Sequence, residues 1–385
     1  MLERRPAEHF VCTRCGARYP LSAPVWRCTC GGLLAIAYTP RFDRRQITRL
    51  GPTLWRYRDA LPLPKDVDAV SLGEGYTPLL HGRVAGVPVY LKQDHLFPTG
   101  SFKDRGAAVL ISQAAALGVR RVVEDSSGNA GSAIAAYAAR AGIACDVYVP
   151  DGASPEKLAQ IRAYGARVHP VAGGRSAAAA AALQAVEATE PPGPAYYASH
   201  VWNPFFLHGT KTFAFELWEQ LNWKAPDTVV LPVGNGSLLL GAALGFEELV
   251  AAGMISAPPR LVAVQAEACA PLATAFDQDE GLPAAVGVQP TLAEGIAVPE
   301  PVRGAQVLAA VRRTGGQVIS VTEEEIAAAL RAWWRVGYAL EPTAAAALAG
   351  LSRYAAQGAR PREVIVSAIT GHGLKAMVHV AALLD

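Results

Sequence analysis

The chain has 385 residues, 51% of them hydrophobic and 18% charged, enough apolar length to bury two domain cores and too little charge for disorder on a large scale. A formal net charge of +2 supplies no field that would draw nucleic acid or an anionic membrane, so neither is expected as a partner. The opening residues MLERRPAEHF lack the apolar stretch of a secretory signal, and a cytoplasmic location is expected.

Of the six cysteines, four lie close together: Cys12, Cys15, Cys28 and Cys30, in the pattern C-x2-C-x12-C-x-C. Glycines directly follow each pair, which suits two tight knuckles around one ion, and four thiolates make a closed, tetrahedral, structural zinc site. Disulfides are the alternative, but nothing in the sequence signals export to an oxidising compartment. Residues 1–36 are therefore expected to form a zinc ribbon. Such ribbons can also grip nucleic acid, but the basic run Arg41–Arg49 reads as a solvated face. Cys145 and Cys269 have no cysteine near them in sequence and read as core thiols.

Residues 37–70 form a Pro/Arg-rich connection in which Trp55 and Tyr57 are expected to pack. Strand-like runs then alternate with Ala-rich helical ones, at 88–92, 121–123, 144–149, 166–171, 228–233, 261–265, 317–320 and 363–369. That alternation predicts mostly parallel sheets covered by helices.

Three loops in this framework carry chemistry. The first, Pro98-Thr99-Gly100-Ser101-Phe102-Lys103-Asp104-Arg105-Gly106, sets a lysine between a glycine turn and a helix predicted over 107–119, with Ser101 as its N-cap. A lysine in a first helical turn meets the positive end of the helix dipole, which favours the neutral amine that Schiff-base chemistry requires. The second, Glu124-Asp125-Ser126-Ser127-Gly128-Asn129-Ala130-Gly131, lies between a strand and a helical run at 132–141, and offers hydroxyls and backbone N–H groups to an anion. The third is TVVLPVGNGSLLLG (228–241), where an apolar strand runs through Gly234-Asn235-Gly236-Ser237 into a helix and lets the backbone approach a phosphate closely. Its spacing differs from the dinucleotide fingerprint. Residues 228–246 carry no charge, but Pro232 and the Gly-Asn-Gly turn inside the run exclude a membrane span. Ser176 with the alanines after it reads as a capped surface helix, and Pro191-Pro192-Gly193-Pro194 as a return between domains.

Taken in order, the runs GEGYTPL (73–79), PTGSFKDRGA (98–107), SSGNAGSAIAAYAARAGI (126–143), NPFFLHGTKT (203–212), VGNGSLLLG (233–241) and TGHGLK (370–375) resemble the fold-type-II pyridoxal-phosphate (PLP) enzymes. Among these the chain is most similar to the threonine synthases that carry a zinc ribbon. The resemblance implies a tryptophan-synthase-β-like α/β fold with two three-layer domains: residues 37–104 and 200–385 as the large cofactor-binding domain, 105–199 as a small mobile one. A homodimer is implied as well.

Site roles follow from the same resemblance. Lys103 matches the lysine that holds PLP as an internal aldimine and moves protons; Asn129 matches the asparagine bonded to the ring hydroxyl. Gly234, Asn235, Gly236, Ser237 and Leu238 match the loop that holds the cofactor phosphate, and Thr370 the hydroxyl facing the pyridine nitrogen. A neutral group there tunes the cofactor for elimination and replacement. Ser126, Ser127 and Gly128 match the clasp on the substrate carboxylate. The implied activity is conversion of O-phosphohomoserine and water to threonine and phosphate. Three departures from the family pattern, at Ala130, Phe206 and Leu238, remove polar groups from the expected substrate-phosphate clamp. They motivate the alternative of an elimination or replacement enzyme acting on an unphosphorylated or smaller amino acid, with Lys211, His208 or Arg105 as possible replacements for the clamp arginine. A non-catalytic binding protein is the third reading.

Overall fold

The computed structural model describes residues 8–153, 155–188, 195–360 and 362–384. The chain opens with three short strands, β1 (His9–Cys12), β2 (Arg18–Pro20) and β3 (Leu34–Ala37), paired antiparallel in the order β2-β1-β3. Helix α1 (Arg44–Ile47), capped by the Asp43 carboxylate, precedes the hairpin β4 (Leu79–Val84) and β5 (Val87–Lys92). Helices and strands then alternate: α2 (Lys103–Ala116), β6 (Arg121–Glu124), α3 (Asn129–Arg140), β7 (Ala144–Pro150), α4 (Pro155–Ala163), β8 (Arg167–Val171), α5 (Gly174–Glu187) and β9 (Tyr196–Tyr197). They continue with α6 (Pro204–Thr210), α7 (Thr212–Gln220), β10 (Thr228–Pro232), α8 (Ser237–Ala251), β11 (Arg260–Ala266), β12 (Gln317–Val321) and β13 (Ile365–Ala368).

The chain packs as two units. The first comprises the residues up to Gly75 together with Lys103–Thr210. Its parallel sheet runs β8-β7-β6-β9, and Ala107–Ile111 of α2, Val122, Tyr137 and Val147 are fully buried in its core. The N-terminal strands belong to this core: Phe10 meets Phe205 edge-on at 5.8 Å, Trp26 meets Tyr197 at 4.8 Å, and Gln113 Nε2 donates to the Leu21 carbonyl at 3.0 Å. The connection is tied down by Glu74, a buried carboxylate that accepts from Trp55 Nε1 at 2.6 Å, Leu72 N at 2.7 Å and the Tyr137 hydroxyl at 2.9 Å. These bonds satisfy a group that burial would otherwise penalise.

The second unit comprises Tyr76–Phe102 and the chain from Lys211 on. Its six-stranded sheet has the order β12-β11-β10-β13-β5-β4, parallel except for the β4–β5 hairpin. All five residues of β10 are buried, as expected of a strand covered on both faces. Lys92, with no exposed surface, is paired to Glu216 at 2.6 Å and donates to the Thr77 carbonyl at 2.7 Å.

The observed division differs from the one read from sequence. Residues 37–75 pack with the N-terminal strands and with the 103–210 segment, not with the C-terminal sheet. The hydrogen bond of Glu74 to Tyr137 and the edge-on contact of Tyr38 with His208 tie this segment to the first unit, and neither leaves a local sequence signal. Two helix caps also move. Ser101 forms a β-bridge with Gly371, so α2 starts at Lys103 without it, and Ser176 lies inside α5, whose N-cap is Gly173. Helix α3 starts at Asn129, three residues before the predicted run. Residues 191–194 lie outside the described residues. No helix among the described residues is long and apolar enough to cross a membrane; the uncharged run splits into β10, a turn and α8.

Candidate active site

In the second unit, the buried strand β10 ends in a glycine turn that opens into the 15-residue helix α8. The N-cap is Gly236, in the left-handed region at φ +81°, where a Cβ would also overlap Val307. No side chain caps α8 and its first turn holds no acidic residue, so its leading N–H groups and dipole remain available to an anion. Gly234, Ser237 and Leu238 are buried in this turn and Asn235 is half-buried. The adjacent strand β13 leads to Thr370, whose carbonyl accepts from Phe102 N at 3.0 Å. Thr370 is 1% exposed and its Oγ1 has no hydrogen-bond partner among the described residues. A buried hydroxyl without a partner costs about 1–3 kcal/mol, which a polar atom of a bound molecule would offset.

In the first unit, Lys103 is the first residue of α2, half-buried, with Nζ 5.5 Å from the centroid of Phe206. That ring lies flat against Gly106, where any Cβ would overlap it. Close contact between α2 and α6 thus explains both the glycine and the phenylalanine at the position where an arginine was sought. The loop after β6 places Ser126, Ser127 and Gly128 half-buried ahead of α3, with Gly128 as N-cap and Asn129 as first helical residue. Ser126 Oγ accepts from Gly128 N at 3.3 Å.

The site residues read from sequence therefore fall into two sets. Lys103, Ser126, Ser127, Gly128 and Asn129 belong to the first unit; Gly234, Asn235, Gly236, Ser237, Leu238 and Thr370 belong to the second. Apart from Lys103, which opens α2, each set follows the carboxyl ends of strands in its own sheet, where parallel α/β sheets bind ligands. The three cations considered for a substrate phosphate are differently placed. Lys211 is fully buried and paired to Glu248 at 2.8 Å, with burial bringing its ammonium down to about 8. Arg105 has no exposed surface, and His208 stands edge-on to Tyr38 at 5.2 Å.

Sequence reasoning missed one group. Parallel pairing of Val123 with Tyr197 brings the ends of β6 and β9 side by side, and side chains at and just beyond those ends meet. Glu124 Oε1 lies 2.7 Å from His200 Nδ1, and Asp125 bonds Tyr197. Burial pushes both carboxyl groups up and the His200 imidazole down. A Glu-Asp pair closing an apolar strand was visible in the sequence; His200, 76 residues away from Glu124, carried no local signal.

The four N-terminal cysteines do converge. Cys12 and Cys30 sulfurs are 3.5 Å apart, Cys15 and Cys28 sulfurs 3.6 Å, and all four lie within 4.8 Å of one another as free thiols. A tetrahedral ion with bonds of ~2.3 Å spaces its sulfurs ~3.8 Å apart, close to this arrangement. The Tyr19 hydroxyl, 3.0 Å from Cys28 Sγ, holds that thiol down at about 6.

The first unit thus presents a lysine at a helix start, and the second an uncapped glycine turn and a buried hydroxyl without a partner among the described residues. The model for pyridoxal-phosphate dependent enzymes matches residues 70–371, and the chain belongs to that family. It is 36% identical over 377 residues to threonine synthase of Methanocaldococcus jannaschii, covering 94% of this chain and 92% of that protein. It is also 36% identical over 326 residues to threonine synthase of Mycobacterium tuberculosis, covering 83% and 87%. Among solved structures, threonine deaminase isoform 2 of Solanum lycopersicum shares the fold at a TM-score of 0.68 and 21% identity over 90% of both chains. Serine racemase of Dictyostelium discoideum matches at 0.64 and 26%, covering 77% of this chain and 92% of the other.

Proposed function

We propose that the protein is a threonine synthase, converting O-phosphohomoserine and water to threonine and phosphate. The observation that carries this reading is the 36% identity to a named threonine synthase over nearly the whole of both chains. When bound, PLP supplies an electron sink that stabilises negative charge developing beside the amino carbon. The chain's own residues do the rest. Lys103 carries the cofactor and moves protons at its Nζ, and Asn129 orients the ring through its hydroxyl. The Gly234–Leu238 turn and the start of α8 hold the cofactor phosphate, and Thr370 donates or accepts at the ring nitrogen. Ser126, Ser127 and Gly128 hold the substrate carboxylate. We also propose that Cys12, Cys15, Cys28 and Cys30 bind a structural zinc ion; their sulfur spacing supports it.

A second reading is favoured by one observation: Phe206 is buried against α2 and Lys211 is committed to Glu248, so neither supplies a charge to a substrate phosphate. That reading is elimination on an unphosphorylated hydroxy amino acid. The test is product analysis with cofactor-loaded protein and a Lys103→Ala control. Equal yields of threonine and phosphate from O-phosphohomoserine are expected. Ammonia and a keto acid from serine or threonine, with no phosphate release, would replace the first reading by the second.

A further inference from the structure

Where β6 and β9 end side by side, three side chains with no part in the reaction described above converge: Glu124, Asp125 and His200. Each offers one ligand atom, and the three atoms lie within 4.8 Å of one another. Glu124 has no exposed surface. Its Oε1 lies 2.7 Å from His200 Nδ1, and its Oε2 has no hydrogen-bond partner among the described residues. Asp125 bonds Tyr197, but its Oδ1 is also buried without a partner among the described residues. Two neighbouring carboxyl groups thus each keep one buried oxygen unsatisfied where they meet an imidazole. Such oxygens are costly, because burial takes them from water and gives them no donor in return. One proton can satisfy only one pair of these atoms, whereas a cation contacts all three side chains at once.

We propose that Glu124, Asp125 and His200 bind a divalent transition-metal ion. Two carboxylates and one imidazole suit Mn2+, Fe2+ or Zn2+ better than Ca2+ or Mg2+, which take oxygen ligands. With bonds of ~2.1 Å, an octahedral ion holds neighbouring ligand atoms ~3.0 Å apart and opposite ones ~4.2 Å apart. The Glu124–His200 separation of 2.7 Å therefore fits adjacent positions after a slight opening. Binding forms three metal–ligand bonds and breaks the hydrogen bond between Glu124 and His200. The proton of that bond leaves to solvent and nothing is oxidised. The two carboxylates neutralise the ion's charge, while Lys103 of α2 and Arg175 of α5 act on His200 from outside the cluster and moderate the affinity. Asp125 and His200 are half-buried, which gives the ion a way in from solvent. Asp125 directly precedes Ser126, so the ion ties the loop Ser126–Gly128 at the start of α3 to the segment after β9.

The test uses full-length, cofactor-loaded protein and Mn2+ alone as the probe, a hard ion with little affinity for the four N-terminal thiols. Free Mn2+ is followed by its electron paramagnetic resonance signal. One saturable site per chain is expected in the wild type. Glu124→Gln and His200→Asn each remove a ligand and are expected to weaken binding by at least about tenfold, a loss that an outer-shell change alone can bring. Asp125→Asn is expected to weaken it as well, and keeps the proposal falsifiable if Glu124→Gln fails to fold. A wild type with no saturable site, or a site of equal affinity in all three variants, would overturn the proposal. No substrate enters this measurement, so its failure is distinct from a failure to form threonine from O-phosphohomoserine.

Discussion

At the ends of β10 and β13 the candidate contacts are all neutral: backbone N–H groups of an uncapped helix, a buried serine, a threonine hydroxyl with no partner. At the ends of β6 and β9, in the other unit, they are titratable: Glu124, Asp125 and His200, in the same unit as Lys103. Fixed dipoles hold an anion without changing charge themselves, and so suit a cofactor that must stay bound through every step. Buried carboxylates and an imidazole suit a cation, whose own charge decides which of them is ionised. The two sheet ends thus differ in the kind of chemistry they offer, and each can be damaged separately.

The largest effect is expected from Gly236→Val. Valine would be forced into a left-handed conformation and into Val307, at a cost of about 1–3 kcal/mol for the backbone and a similar amount for overpacking. Distortion of the turn should lower cofactor affinity by about 100-fold or more, equivalent to ~2.7 kcal/mol, as read by equilibrium titration. Mn2+ binding at Glu124, Asp125 and His200 should be unchanged. Wild-type cofactor affinity in this variant would remove the turn from the site.

Removing one of the proposed zinc ligands should do the reverse. Metal analysis is expected to find one zinc per chain in the wild type and none in Cys12→Ser. Trp26 packs on Tyr197, which bonds Asp125, so loosening the ribbon reaches the titratable side. A thermal midpoint lower by about 5 °C or more is expected, given roughly 2–4 °C per kcal/mol for a unit of this size. Cofactor affinity at the α8 turn should hold. A wild type without zinc, or a variant whose midpoint does not move, would count against a structural metal.

How far the sequence could be read follows the same division. The glycine turn, Thr370 and Lys103 were legible because each sits at a strand end or helix start that apolar patterning marks out. The Cys12–Cys30 cluster was legible from spacing. Caps failed where a residue had a tertiary partner: Ser101 was drawn into a bridge with Gly371. Strand β4 failed because, as the edge of its sheet, it is mostly unburied and shows no clean alternation. The pair Glu124–His200 and the packing of 37–75 onto the first unit failed because both depend on register between distant segments. Phe206 was read as a substrate determinant when its burial against Gly106 makes it first a packing residue.

The smallest expected effect is also the most specific. Thr370→Val exchanges a buried hydroxyl for a methyl of similar shape, and that hydroxyl has no hydrogen-bond partner among the described residues. In cofactor-free protein the change should therefore be neutral or stabilising by up to about 1 kcal/mol in urea unfolding, since an unsatisfied polar group is lost. In the presence of cofactor the sign should invert, with affinity falling by about tenfold for one lost hydrogen bond, ~1.4 kcal/mol. Thr370→Ser keeps the donor and should bind as the wild type does. If Thr370→Val instead destabilised the cofactor-free protein, the hydroxyl would have a partner within the fold. The neutral side of the comparison would then lose a side chain free to face a ligand.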